Sequence, residues 1–388
     1  MITEFQDGFI TKTKLNELVG GINANSEELV DINARILTAD VTKTVGVGGD
    51  FTTLNLAIDW CKTLIPMSFK VTITIKSATI FYDENIQLYN VDLSFVTINM
   101  ENNEILQIQL SSDSPSYKYF VNAQDSVTPY LNVGGIKYIG AYEGGGIALR
   151  NSKCKTGYLF NSIEFVESGF WIYDNSELIC DDEVSIKQFS YRAVSVTNSR
   201  LICDNISSGI SAISNRVNPA HPQSVFSIIN SDVDAHLVHN FGENIYNSTT
   251  AITQKFKLFE IIRSKVTYIS SWNSNNLTMA KIIDISEGSC VGYELLVGSS
   301  SNASLRIDIN VSSGSSLYHK YLSGGSYEGY IRNSYLVTQT MSNASILMAD
   351  GGTFEVSRGG IMRIDGYLNS PNISQTVNTT TANGIIFH

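Results

Sequence analysis

The chain has 388 residues, a formal charge of −11 from 26 Lys+Arg against 37 Asp+Glu, and no basic block, which argues against nucleic acid or an anionic membrane surface as partner. Only 16% of residues are charged, so Ser, Asn, Thr and Gly must cover the surface, a mix that suits a β-rich, shear-resistant protein better than a cytosolic enzyme. The length exceeds one ordinary compact domain and points to two domains or one elongated, repetitive one.

The first residues, MITEFQDGFITKTK, lack a secretory leader's basic start and apolar stretch, and no segment has the apolar length of a membrane span, so membrane insertion is not expected. Cys61, Cys154, Cys180, Cys203 and Cys290 are odd in number and lie at no metal-ligand spacing. They read as reduced, mostly buried thiols of a protein assembled in a cytoplasm. The five histidines form no metal motif either, and no cofactor is called for.

From residue 15 to 36, Leu15, Leu18, Ile22, Asn25, Leu29, Ile32 and Ile36 recur at steps of three and four. This is a heptad seam in which one polar Asn25 fixes register in a self-associating helix. The alternative is an amphipathic helix packed on its own domain, and Gly20-Gly21 weakens any continuous helix by roughly 1 kcal/mol per glycine. A loop at 46–51 precedes Leu54, Ala57, Ile58, Cys61 and Leu64 at helical spacing, a short amphipathic helix suited to plugging the end of a core. Val71, Ile73 and Ile75 then alternate, and short β-branched runs between Asn, Asp and Ser continue to the C-terminus.

A motif Ser-x-apolar, usually preceded by Asn, recurs at Ser152, Ser176, Ser199, Ser231, Ser264, Ser289, Ser315 and Ser334. NSELICD and NSRLICD, 23 residues apart, are its clearest copies. The interval matches one coil of a β-solenoid, in which short strands bury their faces only by stacking. Asn and Ser are expected at the corners, where Asn tolerates left-handed backbone and both side chains bond the local chain. The absence of helical patterns between strands argues against doubly wound α/β folds.

The residues GGDFTTLNLAIDWC, VTITIK, ENIQL and DLSFVTI resemble the first segment of pectin-lyase-like β-helices in bacteriophage tail spikes, with Ala78 where those proteins often carry Gly. TKLNELVGGINANSEEL is similar to their virion-proximal trimerising helices, and SPNISQTVNTTTANGIIFH to the terminal segment of phage tail fibres and spikes. The resemblance implies an all-β, right-handed parallel β-helix forming a homotrimer. In that scheme residues 1–45 are a coiled coil attached to a phage tail or baseplate protein, 46–345 the β-helix body with its capping helix, and 346–388 a C-terminal trimerisation segment. It also implies a virion location and recognition of a bacterial surface polysaccharide, capsule or O-antigen. The alternatives are a depolymerase of that glycan, glycosidase or lyase, and a structural tail protein that bridges other spikes.

Two intervals near 32 residues imply loops that leave the solenoid, one near Arg216 and His221, the other near Asn240, Glu243 and Tyr246. They read equally as walls of a glycan groove or as padding at a subunit interface. Trp171 and Trp272 are the candidate exposed aromatics for stacking sugar rings. Asp181 and Asp204 share a register in the matched coils, so their backbones are expected ~4.8 Å apart with both side chains outward. Such a pair satisfies a retaining glycosidase, as nucleophile and acid/base, or merely caps the backbone at a coil corner. Arg192 and Arg200 are candidates for an acidic sugar.

Overall fold

The computed structural model describes residues 20–21, 26, 29–77, 79–111, 119–139, 144–157, 160, 162–164, 168–187, 192–209, 224–241, 256–273, 281–297 and 306–318. Beyond these it describes the short strands 321–323, 326–332, 335–338, 340–342, 354–357, 361–364, 367–368 and 385–387. Of the proposed seam, Leu15, Leu18, Ile22 and Asn25 lie outside the described residues, as do Ala78 and Ser334.

The described chain is all-β, and its ladders are parallel. One coil illustrates the plan: Glu177–Cys180 lies on a first face, Val184–Lys187 on a second and Arg192–Thr197 on a third. Each strand pairs in parallel with its counterpart on the next coil, as in Leu178↔Leu201, Val184↔Ile206 and Val194↔Phe226. The strands therefore stack as consecutive coils of a β-solenoid. In the middle of the chain the first two faces merge into single long strands, Arg200–Gly209, Asp232–Phe241 and Lys265–Asn273.

The interior follows from alternation. On the first face Cys154, Leu178, Leu201, Val233, Val266, Val291 and Leu317 stand in one inward column. On the third, Ile86, Val121, Ile147, Phe170, Val194, Phe226, Phe259 and Ile283 form another. Phe226 and Phe259 are fully buried and stack at 5.1 Å with planes 10° apart. Such like-on-like columns bury branched and aromatic side chains that a single coil would leave wet.

The corner between the third and first faces carries the repeat found in the sequence. Ser152 N–H donates to Ser176 Oγ, Ser176 N–H to Ser199 Oγ, Ser199 N–H to Ser231 Oγ, and so on through Ser264, Ser289 and Ser315, all at 3.0–3.2 Å. Each of these steps is one coil, of 24, 23, 32, 33, 25 and 26 residues. Ser126 extends the ladder one coil earlier. The preceding residues Asn151, Asn175, Asn198 and Asn230 have φ between 45° and 62°, and Gly288 and Gly314 take over that left-handed position later. Asn and Gly adopt this conformation at least cost, which explains their place before most of these serines; Asp125 and Arg263 hold the same left-handed backbone before Ser126 and Ser264.

At the N-terminal end, the helix α1 (Leu54–Lys62) replaces the second and third faces between Val41–Val45 and Val71–Ile75. It buries Leu54, Ala57, Ile58 and Cys61. Thr53 Oγ1 accepts from Leu56 N–H, and the buried Glu84 carboxylate accepts from Leu54 and Asn55 N–H at 2.7 and 3.2 Å, satisfying three free amides of the first turn. Residues 29–35 are helical, with Leu29 and Val30 exposed, Ile32 half-buried, and Ile36 bridged to Ile65. At the C-terminal end, Met362 and Ile386 continue the first-face ladder beyond Leu336. No helix among the described residues is long and apolar enough to cross a membrane.

Candidate functional site

On the third face, opposite the inward column, Ala148, Trp171, Ser195, Ser227, Glu260 and Asp284 are successive Cα partners, with Ala148, Ser195 and Ser227 buried and Trp171 the most exposed of the row. Because the row advances one strand per coil, it rises by roughly 4.8 Å per step. Trp171 is flanked by the short side chains of Ala148 and Ser195, and 37% of its surface is exposed. Tyr119 meets it edge-on at 6.0 Å and Tyr173 lies 6.4 Å away. Arg150, the Cα partner of Tyr173, sets its guanidinium 5.9 Å from the Tyr173 ring centre and pairs with Asp174 at 3.2 Å. The result is an aromatic platform rimmed by one cation and one carboxylate. Sugar rings stack their apolar C–H faces on such a platform while charged groups at its rim bond the hydroxyls.

Farther along the same row, Glu260 accepts hydrogen bonds from Ser224 and Ser227 Oγ at 3.2 and 3.3 Å. Asp284 is its Cα partner on the next coil. Sequence reasoning missed this pair because the enlarged coils hide which outward residues align.

Asp181 and Asp204 are placed differently from each other. Asp181 accepts a hydrogen bond from Tyr130 at 3.1 Å and pairs with Lys155 at 3.2 Å, both on preceding coils. Asp204 is exposed on the following coil. Between them the paired register stops at Ile179↔Ile202 and resumes at Val184↔Ile206, so the two coils carry unequal numbers of residues at that corner. Arg200 pairs with Glu177 at 3.1 Å, and Arg192 donates to Ser195 Oγ at 3.4 Å.

Trp272 is the Cα partner of Asn240 on the long strands. Arg216, His221, Glu243 and Tyr246 lie outside the described residues.

A second feature escaped the sequence reading. An open groove of about 780 Å³ follows the serine corner, lined by Lys153, Glu177, Arg200, Asp232 and Lys265. These five are successive Cα partners and alternate in sign. The signal was legible, since each is the residue directly after a repeat serine. Among the described residues no group of three or more His, Cys, Asp or Glu side chains is placed to hold a metal.

No protein-family model matches the chain, and no curated protein matches it.

Proposed function

We propose that this protein is a receptor-binding spike or fibre of a phage tail. It recognises a bacterial surface polysaccharide, as a homotrimer of right-handed β-helices attached through a coiled coil in residues 1–45. The observation that carries the glycan reading is Trp171, an exposed indole between two short side chains, with Tyr173 and the Arg150–Asp174 pair beside it. A solenoid ladder holds these groups rigidly, so little ordering cost falls on binding. The oligomer and the viral location rest on the sequence resemblance and the heptad seam. Purified protein is incubated with capsules and O-antigens, and retained glycan is measured. Wild type retains one glycan and Trp171→Ala loses at least tenfold in affinity; no retention of any glycan refutes the reading.

Depolymerisation of the same glycan is the second reading, favoured by Glu260 and Asp284. Their backbones are ladder partners one strand spacing apart on the row that carries Trp171, and a retaining glycosidase uses two neighbouring carboxyl groups as nucleophile and acid/base. Released oligosaccharide that disappears in Glu260→Gln and Asp284→Asn but persists in Asp181→Asn supports it. Release that depends on Asp181 instead transfers the chemistry to the first-face corner.

A further inference from the structure

The corner between the first and second faces is irregular in three consecutive coils. The ladders shift register between Ile202 and Asn205, between Val233 and His236, and twice around Ile269. Bulges re-aim side chains and concentrate beside functional sites. Here they bring His236 Nε2 within 2.7 Å of Ser270 Oγ, on adjacent coils. Ser270 is nearly buried and His236 half-buried, while the exposed Tyr268 ring stands edge-on to the imidazole at 6.1 Å. Asn205, the Cα partner of His236 on the preceding coil, keeps its Oδ1 buried without a hydrogen-bond partner. An unsatisfied acceptor therefore lies one strand spacing from an imidazole that must keep its Nδ1 protonated when Nε2 accepts.

We propose that Ser270 and His236 form a nucleophile–base pair that hydrolyses carboxylic esters of small acyl groups. A serine hydroxyl is a weak nucleophile until an adjacent base takes its proton, and a hydrogen bond of this length provides that base. Ser270 Oγ attacks the acyl carbon as its proton passes to His236 Nε2. The C–O bond to the alcohol breaks, and the alcohol leaves with that proton. Water then attacks the acyl-serine, His236 takes a proton from it, and the carboxylic acid departs as Ser270 regains its hydrogen. The alcohol is a sugar hydroxyl if the glycan reading holds, but the pair's chemistry does not rest on that reading.

The test uses the full chain with a fluorophosphonate probe and p-nitrophenyl acetate, neither of which needs a glycan. Mass spectrometry locates the label at Ser270 in wild type, and Ser270→Ala abolishes it. His236→Gln, which keeps a hydrogen-bonding group beside Ser270, slows labelling and ester turnover by about 10²–10⁴-fold. An unlabelled Ser270 in wild type, or an unchanged rate in His236→Gln, overturns the proposal. Circular dichroism of each variant separates lost chemistry from lost fold, and glycan retention by Ser270→Ala shows that the Trp171 site is independent.

Discussion

Ser176 Oγ accepts the backbone N–H of Ser152 at 3.1 Å and donates to the Tyr173 carbonyl at 2.7 Å, so one hydroxyl ties a coil to itself and to the coil before it. The same two bonds recur at Ser264 and Ser289. Ser176→Ala or Ser289→Ala leaves a buried N–H and a carbonyl without their partner, a loss of about 1–3 kcal/mol per site. Urea unfolding monitored by circular dichroism should show the midpoint falling in both variants.

Phe226→Ala breaks the stacked pair with Phe259 at the heart of the third-face column. The site lies among fully buried neighbours on adjacent coils, so collapse is limited and the expected cost is about 3–5 kcal/mol. Phe226→Leu, which keeps most of the volume, should lose distinctly less in the same unfolding measurement.

Two carboxylates at the N-terminal end, Asp50 on the first coil and Glu84 on the second, have opposing pH dependences. Asp50 accepts from the Thr44 N–H, Lys43 Nζ and Thr44 Oγ1, and these bonds hold its carboxyl down to about 2. A lowered carboxyl contributes stability above its ordinary value near 4 and loses it as the pH falls toward about 2. Burial pushes the Glu84 carboxyl up, partly offset by the Leu54 and Asn55 amides. Its contribution is present below the ordinary glutamate value and is lost as the pH rises through the higher folded one. Thermal melts of Asp50→Asn should therefore converge on wild type between pH 4 and 2, whereas Glu84→Gln should gain on wild type as the pH is raised from 4 to 7.

Native thiol chemistry should be confined to one site. Cys61 and Cys154 are buried and pushed up to about 12 by burial, and the neighbouring Cys203 thiol together with burial raises Cys180. Cys290 alone among the five is only half-buried. A disulfide reagent such as Ellman's is expected to titrate at most one thiol rapidly in native protein and all five in denaturant. Rapid reaction of two or more native thiols would contradict the burial of Cys61, Cys154, Cys180 and Cys203.

Trp171 separates binding from stability. Its indole is partly exposed and packs against the buried Tyr119 and the half-buried Tyr173, so Trp171→Ala should lower glycan affinity at least tenfold while shifting the unfolding midpoint far less than Phe226→Ala. A comparable loss of stability in the two variants would mean that the indole serves the fold.

The sequence determined the coil. Serines that follow a left-handed residue, most often Asn or Gly, mark each turn, and the hydroxyl two residues before each inward apolar side chain satisfies the preceding turn's amide. The helix Leu54–Lys62 was equally legible, since its four buried residues recur at helical spacing. What the sequence could not fix was outward alignment between coils. Asp181 and Asp204 occupy equivalent positions in NSELICD and NSRLICD, yet the corner after Cys180 holds one residue more than the corner after Cys203. The Asp181 carboxylate meets Lys155 and Tyr130 instead. Glu260 beside Asp284, and His236 beside Ser270, arise from coils of unequal length and from bulges at one corner. Inward residues are fixed by the need for burial, which a local pattern encodes; outward neighbours depend on the sum of loop lengths and register shifts between strands, which only the folded solenoid sets.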